Sequence, residues 1–252
     1  MSSVQRKSHP TTVQVIFLRM QIILIVRFSY QYLSTLTAKA PSPNDYPGEI
    51  YGTEAFELNH NLKDRYITLT LGLTLNDTEA AQQYRDSYGY APANQPPTVV
   101  ACDSVTSNVY WSGSVLGDAF YKYTLLLTNG SGQYCATQQE DNATLEALLR
   151  GQLAGKVDFT RVAVMRTASD FDRAPPDETE VFHLLYAQQQ GFLPSIVNIF
   201  IAGSAIANDV LNNWDTLYAE GIKPTNYIGD LFNSLNYSNP DIGTEAFYIN
   251  FG

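Results

Sequence analysis

Residues 140–173 read EDNATLEALLRGQLAGKVDFTRVAVMRTASDFDR, and this stretch predicts a helix followed by a strand. Asp141 or Asn142 caps the predicted helix, and Gly155 ends it. The apolar positions of its inner face are Leu145, Leu148, Leu149 and Leu153. Residues 161–166 (RVAVMR) then form a short apolar run that is typical of a buried strand. A helix that leads into a buried strand indicates an α/β domain.

The same alternation of patterns extends along the rest of the chain. Further helices are predicted after a cap at Thr53, after Asp77-Thr78, at residues 115–128, and along an apolar stripe from Ile196 to Leu217. Further strands are predicted at Val13–Leu18, Ile22–Phe28 and Thr98–Cys102. Together these elements predict an α/β sandwich with a mostly parallel central sheet flanked by helices.

Length and charge limit the classes of function. A chain of 252 residues holds one medium domain or two small ones. Its net charge of -10 excludes nucleic acid as the main partner, because phosphate binding needs a positive surface. The apolar run at residues 13–26 is too short to span a bilayer and contains Arg19, so we expect neither a transmembrane helix nor a signal peptide there.

Cysteine and histidine patterns predict no metal site. Cys102 and Cys135 form either one disulfide or two buried thiols, and two cysteines alone cannot complete a structural zinc site. The three histidines, His9, His60 and His183, stand in no metal-binding spacing. Four sequons offer sites for glycans if the chain enters the secretory pathway, and they begin at Asn76, Asn129, Asn142 and Asn236.

The strongest candidate site follows the strand at residues 161–166. In open α/β sheets, ligands bind beyond the carboxyl ends of the strands, which places Ser169 and Asp170 at a ligand-facing edge. A carboxylic acid at such an edge can donate a proton to a heterocyclic leaving group. The alternative is an aspartate that caps a helix or closes a turn, and from an isolated Ser-Asp pair this alternative is favoured.

A second candidate is the acidic pair Glu140 and Asp141 at the start of the helix. A carboxylate accepts two hydrogen bonds, which suits a ligand with two neighbouring hydroxyl groups. The alternative is a helix start that favours negative charge, and the spacing alone supports this alternative.

Several sequence blocks resemble the fungal purine nucleoside permease family, which is itself similar to the nucleoside phosphorylase superfamily. These blocks are YPGEIYGTEAFELN at residues 46–59, VACDSVTS at 100–107, residues 139–172, and NYIGDLF at 226–232. Together they cover roughly residues 44–235.

The resemblance implies roles for individual residues. In the superfamily, a strand that ends in Arg-x-x-Ser-Asp carries the purine-facing aspartate, and here Arg166, Ser169 and Asp170 match that pattern. The segment Glu140-Asp141 is similar to the ribose-binding segment of the superfamily. Two further residues, Asp103 and Ser107, lie where related proteins have a substrate-lining loop.

The resemblance also implies partners and a location. It implies purine nucleosides as ligands, no cofactor, inorganic phosphate as a co-substrate, a membrane transport partner, a homo-oligomer, and a secreted or cell-surface protein. Residues 1–40 do not look like the family and lack its Gly-rich block, so we expect an atypical segment at 1–40, a domain at 41–252, and a sheet that is incomplete at the amino terminus.

Three functions stay open on these grounds. The first is purine nucleoside binding linked to uptake. The second is an enzyme, a phosphorylase or nucleosidase, that cleaves the N-glycosidic bond with Asp170 as the proton donor. The third is an inactive truncated fragment.

Overall fold

The computed structural model describes residues 14–23, 46, 52–107 and 110–237. The strands are β1 Gln14–Ile23, β2 Ala55–Glu57, β3 Thr98–Ser107, β4 Tyr134–Gln139, β5 Met165–Thr167 and β6 Gly229–Asp230. The helices are α1 His60–Thr70, α2 Glu79–Asp86, α3 Ser114–Leu127, α4 Asp141–Leu153, α5 Glu180–Leu185 and α6 Phe192–Asn212. A short 3₁₀ turn at Phe159–Arg161 and a π-helical turn at Trp214–Tyr218 complete the described elements.

The six strands form one mixed sheet in the order β4-β3-β1-β2-β6, with β5 also paired to β1. The two longest pairs, β1 with β3 and β3 with β4, are parallel. The three short pairs, β1 with β2, β1 with β5 and β2 with β6, are antiparallel. The predicted α/β architecture is therefore confirmed, but the sheet is mixed, because its short strands join it in the antiparallel direction.

Helices cover both faces of this sheet. Successive residues of a strand point to opposite faces, and in β2 they enter two different core clusters. Ala55 packs with Val105, Trp111, Phe120 and Leu127, so α3 covers one face. Phe56 packs with Leu145, Leu149 and Phe159, so α4 covers the other face.

Local signals give the expected start of α2 and the expected ends of α3 and α4. Thr78 caps α2 by accepting a hydrogen bond from the backbone N–H of Ala81 at 3.2 Å. The turn Asn129-Gly130, with positive φ at both residues, follows α3. Gly155, at φ 67°, follows α4. The start of α4 differs by one or two residues, because Glu140 occupies its cap position without a side-chain hydrogen bond.

The first helix and the strand after α4 differ from prediction. Residues 55–57 pair in the sheet, so α1 begins after a cap at Asn59 rather than at Thr53. The run at 161–166 forms a strand only from Met165, because the 3₁₀ turn ends at Arg161. Of the predicted strands at Val13–Leu18 and Ile22–Phe28, residues 14–23 form the single strand β1, and residues 24–28 lie outside the described part of the chain.

The buried face of helix α6 overlaps the predicted stripe only in part, since Ile206 of the stripe packs on the core beside Ala202. Its buried residues are Pro194, Ser195, Asn198 and Ala202, whereas Phe200 of the predicted stripe is 74% exposed. The buried face includes a polar contact, in which the Asn198 side chain accepts a hydrogen bond from Asn76 N at 2.6 Å and donates to Asn76 O at 3.0 Å.

By length and composition alone, α6 is long and apolar enough to cross a membrane. It has 21 residues and a mean hydropathy of 1.4, and 22% of its apolar window is buried. One such helix is weak support for a membrane span, and it is the one candidate among the described residues.

The two cysteines are bonded to each other. Cys102 on β3 and Cys135 on β4 form a disulfide with a Cα–Cα distance of 6.1 Å and a sequence separation of 33 residues. This outcome resolves the alternative that the sequence left open.

Removing the disulfide should destabilise the fold. We expect the double variant Cys102→Ala/Cys135→Ala to lose about 3 kcal/mol in free energy of unfolding, because the bond restricts the unfolded chain. Urea unfolding with and without reductant measures the effect. The reductant should lower the stability of the wild-type chain and leave the double variant unchanged. Equal stability of the oxidised and reduced wild-type chain would contradict the prediction.

Asp209, near the carboxyl end of α6, forms an ion pair with Arg65 of α1. Its carboxylate accepts hydrogen bonds from Arg65 Nε at 2.7 Å and from Arg65 Nη2 at 2.6 Å, and a third from the Tyr218 hydroxyl at 2.5 Å. Burial alone would raise the pKa of Asp209, but the hydrogen bonds from Arg65 and Tyr218 outweigh burial and hold this pKa below its ordinary value.

This lowered pKa predicts a pH dependence of stability. The interaction contributes fully above the ordinary pKa of an aspartate, and its contribution is lost as pH falls through the lowered pKa. Between about pH 6 and pH 3, we expect the free energy of unfolding to fall more in the wild-type chain than in Asp209→Asn. Urea unfolding at both pH values checks this, and the exposed Asp215→Asn should behave like the wild-type chain. Identical acid sensitivity in all three proteins would disprove the assignment.

Candidate functional site

Asp170 follows β5 in a position that the strand direction makes different from the predicted one. Thr167, the last residue of β5, pairs with Val15 near the start of β1. Because β5 is antiparallel to β1, Asp170 does not follow the carboxyl end of a strand parallel to β1 and β3. Its side chain is exposed, and Ser169 Oγ donates a hydrogen bond to Asp170 Oδ2 at 2.5 Å.

Arg166 and Asp141, two of the predicted site residues, form an ion pair. Arg166 Nε donates to Asp141 Oδ2 at 2.9 Å, and Arg166 Nη2 contacts Asp141 Oδ1. Asp141 is 6% exposed, and Gln138 Nε2 also donates to its Oδ2. Burial lowers the pKa of Arg166 from its ordinary value. A ribose hydroxyl would therefore have to displace or share these donors to bind Asp141.

A cleft of about 220 Å³ adjoins this ion pair. Its wall combines the two charged side chains with apolar residues of α4 and of the segment before β5. The lining residues are Asp141, Thr144, Leu145, Leu148 and residues 162–166. The cleft therefore places one carboxylate and one guanidinium at the rim of an apolar wall.

Glu140 and Asp170 follow different strands, β4 and β5. Glu140 follows β4, whose last residue, Gln139, pairs with Ser107 at the carboxyl end of β3. Glu140 is exposed and has a φ of 75°. Among the contacts of the described residues, none joins Glu140 to Asp170. The structure thus pairs Asp141 with Arg166 and Ser169 with Asp170, and leaves Glu140 outside both pairs.

The Asp103 carboxylate is engaged in a hydrogen bond with the backbone between two strands. Asp103 is fully buried, and its Oδ2 accepts a hydrogen bond from the backbone N–H of Gln133 at 2.5 Å. Its own N–H donates to the Gln133 carbonyl at 2.8 Å. These bonds hold the entry of β4 against β3. Ser107 is the last residue of β3, and its backbone pairs with Gln139.

Aromatic residues near Asp170 were missed from the sequence. Burial raises the pKa of Tyr84 and of Tyr110, and the negative charge of Asp170 adds to both shifts. Phe171 stacks on Tyr88, with ring centroids 4.1 Å apart. The repeated tyrosines at positions 84, 88 and 90 were the available signal, but only the fold shows that Tyr84 lies near Asp170 and that Tyr88 packs on the next residue, Phe171. Within the described residues, no group of three or more His, Cys, Asp or Glu side chains is placed to hold a metal ion.

Comparison with known proteins identifies the family. The family model described as purine nucleoside permease matches residues 24–223, which include every predicted site residue. The chain belongs to the purine nucleoside permease family. A purine nucleoside permease of Candida albicans is 45% identical over 207 residues, which are 81% of this chain and 51% of that protein. A probable purine nucleoside permease of Schizosaccharomyces pombe is 38% identical over 172 residues, 67% of this chain and 49% of that protein. The chain thus spans about half the length of the curated relatives that it matches.

Proposed function

We propose that this chain binds purine nucleosides and takes part in their uptake at the membrane or cell surface. The observation that carries the proposal is the family match over residues 24–223. The relatives are named for purine nucleoside permeation, and the cleft beside Arg166 and Asp141 offers polar groups at an apolar wall, as small-molecule sites commonly do. A membrane transport partner and a homo-oligomer belong to the same proposal.

A second function, cleavage of the N-glycosidic bond, is favoured by the segment Arg166–Asp170. An exposed carboxylate that follows a strand can reach a bound purine, and the arrangement requires no cofactor. In this proposal the chain has a nucleoside phosphorylase-like sandwich. Asp170 protonates the purine, a carboxylate of the Glu140–Asp141 segment binds the ribose, and inorganic phosphate or water attacks the sugar.

The deciding experiment uses the purified chain with adenosine, inosine and guanosine, with and without phosphate. Release of the free base only with phosphate supports phosphorolysis, and release without phosphate supports hydrolysis. A rise in melting temperature without release supports binding for uptake, because a ligand that binds only the folded chain stabilises it. Uridine serves as the control nucleoside. Neither release nor stabilisation would contradict both functions and support the inactive fragment.

A further inference from the structure

Both backbone polar groups of Phe171, the residue after Asp170, are bound by side chains from one segment. The Phe171 N–H donates to Gln189 Oε1 at 2.7 Å. The Phe171 carbonyl accepts a hydrogen bond from His183 Nε2 at 3.0 Å. The donor, His183, lies in α5, and the acceptor, Gln189, lies in the loop that follows it. Phe171 is therefore held at two points on its backbone by residues 12 and 18 positions away.

The protonation of His183 follows from its partners. A carbonyl oxygen only accepts hydrogen bonds, so Nε2 is the donor in this contact. The same nitrogen also lies 3.4 Å from Gln189 Nε2. Nδ1 lies 2.8 Å from the Tyr84 hydroxyl, which can then donate to it. Glu178 Oε2 lies further from the same hydroxyl, at 3.3 Å. The imidazole is 1% exposed and stacks on the Tyr84 ring, so its orientation is fixed on both nitrogens and on one face.

Tyr88 contacts both the Phe171 side chain and the backbone that follows it. The Phe171 ring is 4% exposed and packs on Tyr88. The Tyr88 hydroxyl donates to the Arg173 carbonyl at 2.7 Å. Asp170 itself is exposed, and the hydrogen bond described for its side chain comes from its neighbour Ser169. The chain thus fixes the backbone on the carboxyl side of Asp170 while its carboxylate faces solvent.

We propose that His183 and Gln189 are positioning residues that aim the Asp170 carboxylate at the purine base by holding Phe171. This inference rests on the proposed role of Asp170 in handling purine nucleosides. A functional side chain works only when its own position is fixed by supporting hydrogen bonds, and a small misplacement costs much of the rate. We call the pair His183 and Gln189 the Phe171 clamp.

The test uses the full chain and compares variants that remove a hydrogen bond to Phe171 with conservative variants that keep it. Gln189→Leu removes the acceptor for Phe171 N–H, whereas Gln189→Glu keeps a carboxylate oxygen in its place. His183→Leu removes the donor to the Phe171 carbonyl, whereas His183→Gln keeps an N–H at similar reach. The exposed neighbour Gln188→Leu is the matched control. Because His183 is buried and its leucine variant could fail to fold, the Gln189 pair carries the test independently.

The main measurements are the affinity of each variant for inosine and its rate of hypoxanthine release from inosine. We expect about a tenfold or larger loss in the leucine variants, recovery to within about threefold in the conservative variants, and no change in Gln188→Leu. Rescue by the conservative variants separates positioning from a loss of stability. If Gln189→Leu folds and keeps the wild-type affinity for inosine and the wild-type rate of hypoxanthine release, the proposal is overturned.

A second measurement separates failure of the clamp from failure of the proposed function. Hydrogen exchange of the Phe171 amide should be slow in the wild-type chain and in Gln189→Glu, and faster in Gln189→Leu. If the wild-type chain neither binds nor cleaves inosine, the proposed function fails and the positioning role fails with it. If inosine is handled but the Phe171 amide exchanges equally in all three proteins, the proposed function stands and the clamp is overturned.

Discussion

Replacing Asn59 with alanine is expected to lower the free energy of unfolding by about 3–5 kcal/mol, because it removes three hydrogen bonds at a buried site. Asn59 is 1% exposed and caps α1, with Oδ1 accepting from Leu62 N at 3.2 Å. Its amide donates to the carbonyls of Thr160 at 2.9 Å and of Ile222 at 2.6 Å. The variant would leave both carbonyls without this donor and the first turn of α1 without its cap.

Asn61 provides a matched control for this prediction. It lies two residues away, and its amide donates to Lys223 O at 2.8 Å, so it joins α1 to the same part of the chain. That hydrogen bond is exposed, and water can replace it. We expect Asn61→Ala to cost under about 1 kcal/mol. Urea unfolding of both variants measures the difference, and similar costs would mean that the buried contacts of Asn59 do not stabilise the fold as described.

Asp170→Asn is expected to lower base release from inosine at least about 100-fold if the chain cleaves nucleosides, because general acid catalysis typically contributes this much. Asparagine has nearly the same shape and can still hydrogen-bond the purine, but it cannot give up a proton to the leaving base. Inosine affinity should therefore weaken by less than about tenfold. Initial rates of hypoxanthine release and the concentration dependence of thermal stabilisation measure the two quantities.

An exposed acid in the same loop is the control for Asp170. Asp177 lies seven residues further along and is solvent-exposed, so Asp177→Asn should keep the wild-type rate and affinity. Unchanged release in Asp170→Asn would show that another group donates the proton. A loss of affinity as large as the loss of rate would instead place Asp170 in substrate binding.

Helix limits were the part of the fold that sequence predicted best. The limits of α2 and α3 are within two residues of prediction, because Thr78 and the turn Asn129-Gly130 act on neighbours three or four positions away. Strand direction could not be predicted, because an apolar run such as residues 161–166 has the same pattern in a parallel and an antiparallel pair. The buried face of α6 was predicted only in part, since apolar periodicity does not reveal that Asn198 is buried and binds the backbone of Asn76.

The residues of the candidate site were also predicted better than the contacts between them. Sequence blocks singled out Arg166, Ser169 and Asp170, and the family match covers all three. The pairing of Arg166 with Asp141, across 25 residues, was not predicted, although both had been proposed as site residues. The Phe171 clamp was missed as well, because His183 has no sequence spacing that marks it as functional.

The sequence by itself determined the α/β class, the start of α2, the ends of α3 and α4, and the family, because these depend on neighbouring residues or on blocks of residue identities. Only the tertiary structure decided which carboxylates are engaged and which face solvent. Asp103 is held by the backbone of Gln133 and Asp141 by Arg166, whereas Asp170 is exposed beside the fixed backbone of Phe171. Such contacts join distant parts of the chain, and their partners meet only when the packing of the whole sheet and its helices brings them within hydrogen-bonding distance.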